Sequence, residues 1–302
     1  SASKLNLYHH EFSAMGSPCA ITVYCSCSQQ NQSFIELCIS RLAQLEDKYS
    51  RFKSESLLSQ INHSAGNGQT FDLDDEFWAL LVYADTAHTI SNGLFDITSG
   101  VLRKVWDFKL QQIPLLTDIS KALELVGWSK IPLYQHKFCL PIPGMEIDLG
   151  GIVKEYAADL LVNLARANNL THGLIDLGGD VAVVGPHPDN SPWQVAISHP
   201  QDPSRAIATI PLSSGGLASS GDYQRFIMID GVKYCHILDP TTGWPVKGFA
   251  AVSVWAPQCV IAGTLATTAM LKGDTDGAAW LSEIGCQYLT IDKYMRSKIS
   301  TL

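Results

Sequence analysis

The chain has no run of basic residues, no apolar stretch of membrane length and no cysteine pair at metal spacing. Each absence removes a class of function. Without clustered Lys and Arg, and with a net charge of −8, neither nucleic acid nor an anionic lipid surface is expected as partner. No segment approaches the ~20 apolar residues that span a bilayer. The start, Ser1-Ala2-Ser3-Lys4, carries no signal-peptide pattern, which fits a cytoplasmic protein or one whose leader has been removed. The eight cysteines (Cys19, Cys25, Cys27, Cys38, Cys139, Cys235, Cys259 and Cys286) include no CxxC. They are expected to be buried, reduced thiols rather than a disulfide framework or metal site. Internal repeats, low-complexity tracts and Gly/Ser linkers are also missing.

What is present describes a folded chain. Its 302 residues are 46 % apolar and 17 % charged, enough for a large core. Ala20, Thr22 and Tyr24 alternate with Ile21, Val23 and Cys25, predicting a strand or hairpin arm within 9–25. Phe34, Leu37, Cys38, Leu42 and Leu45 recur at helical spacing and predict an amphipathic helix over 32–48. A second helix starts near Asp74 and Asp75, whose carboxylates suit a helix N-terminus, and stops before Gly93. A short third one follows Thr117. Met145–Leu149 reads as a short strand, Gly150-Gly151 as a break and Ile152–Asn168 as a helix. Strand-like segments follow at 173–176, 181–184, 193–197, 206–211, 225–229 and 232–237. The last two are joined by Asp230-Gly231, which tolerates the positive φ of a two-residue turn. Strand 251–256, helices 258–271 and 276–284 and strand 287–291 complete the pattern. Strands in runs, without strict alternation with helices, predict an α+β fold.

Four constellations could carry chemistry. In Asp148-Leu149-Gly150-Gly151-Ile152-Val153-Lys154 a carboxylate ends a strand, two residues lack side chains and a helix opens. Such a start exposes N–H groups and a positive dipole to phosphate. The glycines serve equally well as a plain connection, since the pattern is neither GxGxxG nor GxxxxGK[ST]. Asp176-Leu177-Gly178-Gly179-Asp180 is explained as readily by a tight turn. Ser219-Ser220-Gly221-Asp222-Tyr223 precedes the hairpin, and His236-Ile237-Leu238-Asp239-Pro240 follows it. On a strand His236 and Leu238 would share one face, Ile237 and Asp239 the other. The imidazole could accept a proton or be a satisfied core histidine. In the helix over 258–271, Gly263 and Thr267 are i,i+4 neighbours. A threonine there could instead bond its own helix.

Taken in order, three of these stretches (148–154, 219–223 with 236–240, and 262–268 of the last long helix) resemble the ApbE family of FAD:protein FMN transferases. The match also includes Phe12-Ser13-Ala14-Met15-Gly16-Ser17, then Tyr49-Ser50-Arg51-Phe52 with Ser56 and Asn62, and Gly93-Leu94-Phe95-Asp96-Ile97-Thr98. Six collinear motifs span about 12–272. The resemblance implies a single mixed α+β domain over 1–302, with two interleaved lobes and the flavin site between them. It implies FAD as donor, Mg2+ at the pyrophosphate and a threonine or serine hydroxyl of a flavoprotein subunit as acceptor. That subunit would belong to a redox complex like the sodium-pumping NADH:quinone reductases. The products would be phosphoester-linked FMN and AMP. By position, Met15, Phe52, Leu94, Phe95, Asp96, Asp148, Lys154 and Ile237 would contact FAD. His236 would be the general base with Asp239 beside it in the catalytic motif, and Gly151, Gly263 and Thr267 would lie at the metal. The expected address is periplasmic, through a lipid-anchored leader since removed, with the cytoplasm as alternative.

The chain departs from the family at the metal. Relatives commonly carry Asp at the position of Gly263, and Ala266 is also neutral. Hard divalent cations want oxygen ligands and usually a carboxylate, so metal binding is expected to be weakened and Gly263→Asp to strengthen it. Two alternatives stay open: an FAD pyrophosphatase that releases FMN and AMP, or an FAD-binding protein with impaired transfer.

Overall fold

The computed structural model describes residues 4–223 and 225–300. In chain order the strands are β1 (Asn6–Ala14), β2 (Ser17–Cys25), β3 (Phe71–Asp72), β4 (Lys137–Phe138), β5 (Gly173–Leu177), β6 (Asp180–Gly185), β7 (Trp193–His199), β8 (Asp202–Leu212), β9 (Gly216–Gly221), β10 (Phe226–Ile229), β11 (Val232–Cys235), β12 (Ala251–Ala256), β13 (Gln287–Ile291) and β14 (Ser297–Ile299). The helices are α1 (Ser28–Tyr49), α2 (Leu57–His63), α3 (Asp75–Ile90), α4 (Leu102–Val105), α5 (Leu116–Leu123), α6 (Gly150–Ala167), α7 (Cys259–Lys272) and α8 (Asp274–Ile284). Eight strands form one sheet in the order β1-β2-β5-β6-β9-β12-β13-β14, and every pairing in it is antiparallel. This is the α+β architecture that the strand pattern predicts.

Side-chain alternation builds the layers. Ala182 and Val184 of β6 join the main core with α1, α6 and α7. Val181 and Val183, pointing the other way, pack with Trp193, Val195, Ile210 and Leu212 of the β7–β8 hairpin. The sheet is therefore covered on both faces. Asp176-Leu177-Gly178-Gly179-Asp180 is the β5–β6 hairpin turn, with φ of 63° and 94° at the two glycines, as its bland reading holds. Two smaller apolar clusters form apart from the main core. They combine residues within 101–126 with Ile227, Tyr234, Leu238 and Trp244.

Helix α7 is buried nearly all round, and α6 fixes its start. Asp159 accepts from the N–H groups of Cys259 (2.8 Å) and Val260 (2.9 Å). That cap from a neighbouring helix locks α6 and α7 together.

Three expectations need correcting. Met145–Leu149 is not a strand and joins no ladder. Asn62 intercepts its backbone, donating to Ile147 O (3.0 Å) and accepting from Ile147 N–H (2.9 Å), while Asp148 N–H donates to Ile97 O (2.8 Å). Helix α6 begins at Gly150, so the paired glycines are its first turn and not a break. His236 and Asp239 lie beyond the end of β11, so strand alternation does not set their directions. Helices α2 and α4 and strands β3, β4, β9 and β14 carry no clear sequence signal. Five of the eight cysteines are buried as expected, whereas Cys27 is exposed and Cys139 and Cys286 are half-buried. No helix among the described residues is long and apolar enough to cross a membrane.

Asn62 supplies the first expected outcome. Asn62→Ala strands the Ile147 peptide without partners, which should lower the unfolding free energy by about 1–3 kcal/mol in urea denaturation.

Candidate active site

The first turn of α6 and the later part of α7 open on one cavity of about 270 Å³. Leu94, Phe95 and Asp96 line it from the loop after α3, Asp148 and Gly151 from the start of α6, Ser220 from β9, His236 and Ile237 from beyond β11, and Thr267 from α7. Residues as distant as 94, 148, 236 and 267 therefore meet. A second, larger groove of about 1180 Å³ shares Gly100, Arg103 and His236 with the cavity and adds Arg51, Phe52, Trp106, Phe108 and Arg225. Drug-sized ligands fill roughly 300–1,000 Å³, so a dinucleotide would need the cavity and groove together.

The loop at Asp96 holds itself. Asp96 Oδ1 accepts from the N–H (2.8 Å) and Oγ1 (2.6 Å) of Thr98, and Oδ2 from Trp128 N–H (3.1 Å). Its carboxylate is thus spent on shaping the wall that presents Leu94 and Phe95.

Charge in the site is predominantly positive. Asp148 accepts from Gly150 N–H (2.8 Å), capping α6, and pairs with Arg103; Arg51 stands 3.8 Å from its Oδ2. Burial, Arg51 and Arg225 push the Arg103 guanidinium down to about 10. Burial and Arg225 also lower Arg51. Arg51, Arg103 and Arg225 repel one another, a repulsion that Asp148 and Glu146 offset in part and a polyanion would relieve. His236 donates its backbone N–H to Arg225 O (3.1 Å), and its Nδ1 lies 3.3 Å from the same oxygen. Burial, with Arg225 and Arg103 nearby, holds its pKa below the ordinary 6.5, so the ring is neutral.

Other expected site residues lie outside the cavity wall. Met15 and Gly16 form the β1–β2 turn with φ of 53° and 71°, and Met15 N–H bonds to the Glu46 carboxylate. Lys154 reaches the same corner, donating to Ser17 Oγ (3.1 Å) with Asp180 at 4.0 Å. Phe52 is 81 % exposed on the groove, its ring 4.5 Å from the Arg51 guanidinium. Asp239 Oδ1 accepts from the N–H (2.8 Å) and Oγ1 (2.6 Å) of Thr241 and so organises a turn. Gly263 is buried in the α6–α7 contact, where an added Cβ would lie 2.8 Å from Glu155 Cγ. An acidic residue placed at 263 alone would meet the Glu155 side chain.

The residues present fit a divalent cation in one respect and not in another. Among the described residues no group of three or more His, Cys, Asp or Glu could hold a metal by itself. Yet Glu155 Oε2 and Thr268 Oγ1, on the helices that carry Gly151 and Thr267, are buried without a hydrogen-bond partner. A cation completed by substrate phosphates suits such a sparse set of oxygens.

Sequence reasoning missed Arg103, Arg225 and Glu155, and quoted Ser220 only within a motif. Arg51 stands within a quoted motif, but nothing in the sequence marks it as part of a cationic cluster.

The profile of the ApbE family matches residues 15–290. A Vibrio cholerae protein named FAD:protein FMN transferase is 26 % identical over 245 residues, 79 % of this chain and 73 % of its own length. One of the same name from Treponema pallidum is 28 % identical over 306 residues, 94 % of this chain and 84 % of its own. The crystal structure of the ApbE protein of Thermotoga maritima superposes with a TM-score of 0.87 at 28 % identity, covering 98 % of this chain and 97 % of that one.

Proposed function

Because the chain belongs to the ApbE family, we propose that it is an FAD:protein FMN transferase, moving FMN from FAD to a threonine or serine hydroxyl of a partner flavoprotein and releasing AMP. One observation supports this above the rest: Phe95, Asp148, His236 and Thr267 line a single cavity that continues into a cationic groove. Apolar Leu94, Phe95 and Ile237 suit a flavin face, and the arginines suit the pyrophosphate. Met15 and Lys154 close the neighbouring corner.

The chemistry follows from the residues. His236, neutral, accepts the proton of the acceptor hydroxyl. Its oxygen attacks the FMN phosphorus in line, and the bond to the AMP oxygen breaks. Arg103 and Arg51 stabilise the charge that moves onto the leaving phosphate. Asp239 holds the turn behind His236. Magnesium, when bound, screens the phosphate oxygens; the Gly151 carbonyl and Thr267 hydroxyl are donors that would hold it. The acceptor loop enters along the open groove past Phe52. By the family resemblance the acceptor belongs to a redox complex like the sodium-pumping NADH:quinone reductases, and the encounter takes place in the periplasm.

Incubation with FAD, magnesium and a threonine-bearing acceptor, followed by intact mass, tests this. A flavin-sized gain on the acceptor supports transfer, free FMN with AMP indicates a pyrophosphatase, and intact FAD a binding protein. The state of His236 adds a pH signature. A base works only when unprotonated, and its pKa is depressed, so the acid limb of kcat/KM should fall below pH 6.5. A limb above 6.5 would contradict the assignment.

A further inference from the structure

Among the described residues three buried side-chain atoms lack a hydrogen-bond partner: Asn31 Oδ1 on α1, and Glu155 Oε2 and Thr268 Oγ1 on the α6–α7 pair. A carboxylate oxygen shut from water and unpaired is costly, and such orphans commonly mark a missing ion or water. Glu155 follows Gly151 by one turn on α6, and Gly263 precedes Thr267 by one turn on α7. Side chains of a helix lean toward its N-terminus, so Glu155 leans toward the turn of Gly151, the cavity end. Its Oε1 lies 3.0 Å from where a Cβ on Gly263 would be. Gly263 thus leaves the volume that the Glu155 carboxyl occupies. Asp180 and Asp159 add negative potential there, and Lys154 opposes it.

We propose that Glu155 supplies the carboxylate ligand of the divalent cation at the FAD pyrophosphate, reaching from α6 into the space that Gly263 opens on α7. The acidic group that the family resemblance puts at position 263 has changed helices. This rests on the transferase reading, and it explains how a chain with glycine at that position can still take a hard cation: one carboxylate, two neutral oxygens and substrate phosphates make a usual set for magnesium.

Mn2+ binding to the full-length protein, read by electron paramagnetic resonance of the free ion with and without FAD, provides the test. Glu155→Gln keeps the shape and removes the charge. It should weaken Mn2+ binding in the presence of FAD by roughly tenfold or more, with FAD affinity in EDTA and the thermal midpoint in EDTA both retained. The exchange Glu155→Gly with Gly263→Asp should recover Mn2+ binding, whereas Gly263→Asp alone crowds two acids together and should lower the thermal midpoint. Equal Mn2+ affinity in Glu155→Gln and wild type overturns the proposal, as does a wild type that binds FAD but no Mn2+. A wild type that binds no FAD sinks the transferase reading as well, so the two failures are distinguishable.

Discussion

His236→Ala is expected to slow flavin transfer by roughly 10²–10⁴-fold, the usual contribution of a positioned base, while FAD binding changes little. The ring contributes one part of a cavity wall that Leu94, Phe95 and Ile237 also build, so its loss removes little contact area. Its chemical role is harder to replace. Nδ1 faces the Arg225 carbonyl at 3.3 Å, and a hydrogen bond there requires the proton on Nδ1. That tautomer, assigned from the bonding partners, leaves the Nε2 lone pair free to accept. The depressed pKa keeps it free near neutrality. His236→Asn should retain a donor to Arg225 O and still be slow, separating proton transfer from positioning. Transfer is followed by intact mass of the acceptor and binding by flavin fluorescence. A variant that transfers at the wild-type rate removes His236 from the reaction.

The sequence carries some of this site openly and hides the rest for physical reasons. Helix α1, the β10–β11 hairpin and the sheet strands other than β9 and β14 are legible because each rests on local periodicity or turn chemistry. Met145–Leu149 reads as a strand because its composition suits one. What it lacks is a ladder partner, since the Asn62 side chain takes that place from 85 residues away, and no local pattern encodes such a bond. The cationic groove is hidden in the same way. Arg51, Arg103 and Arg225 are isolated in a chain of net charge −8, and only folding makes them neighbours. Gly263 is legible as a departure, yet its meaning is not. That meaning depends on Glu155, 108 positions earlier, and the contact between α6 and α7 turns an apparent loss into room for another carboxylate.

Trp106→Ala should have the largest effect on stability, roughly 3–5 kcal/mol for an emptied large aromatic site. Trp106 is 1 % exposed and joins two distant parts of the chain. Its Nε1 donates to Gly243 O at 2.7 Å. Its ring stacks on Phe108 and Tyr234 and meets Trp244 edge-on at 5.2 Å. These residues lie in the small apolar clusters outside the main core, where little other packing can compensate. The same clusters carry the β10–β11 hairpin and, just past it, His236, so their loosening should spread to the groove that Trp106 and Phe108 line. Trp106→Ala should therefore weaken FAD binding together with stability, while Asn62→Ala costs stability less. Trp106→Phe keeps a ring but leaves the Gly243 carbonyl without its donor, and should fall between. Urea denaturation with flavin titration of each variant checks the ranking. A Trp106→Ala protein with wild-type stability would mean that the small clusters do not hold the groove in place.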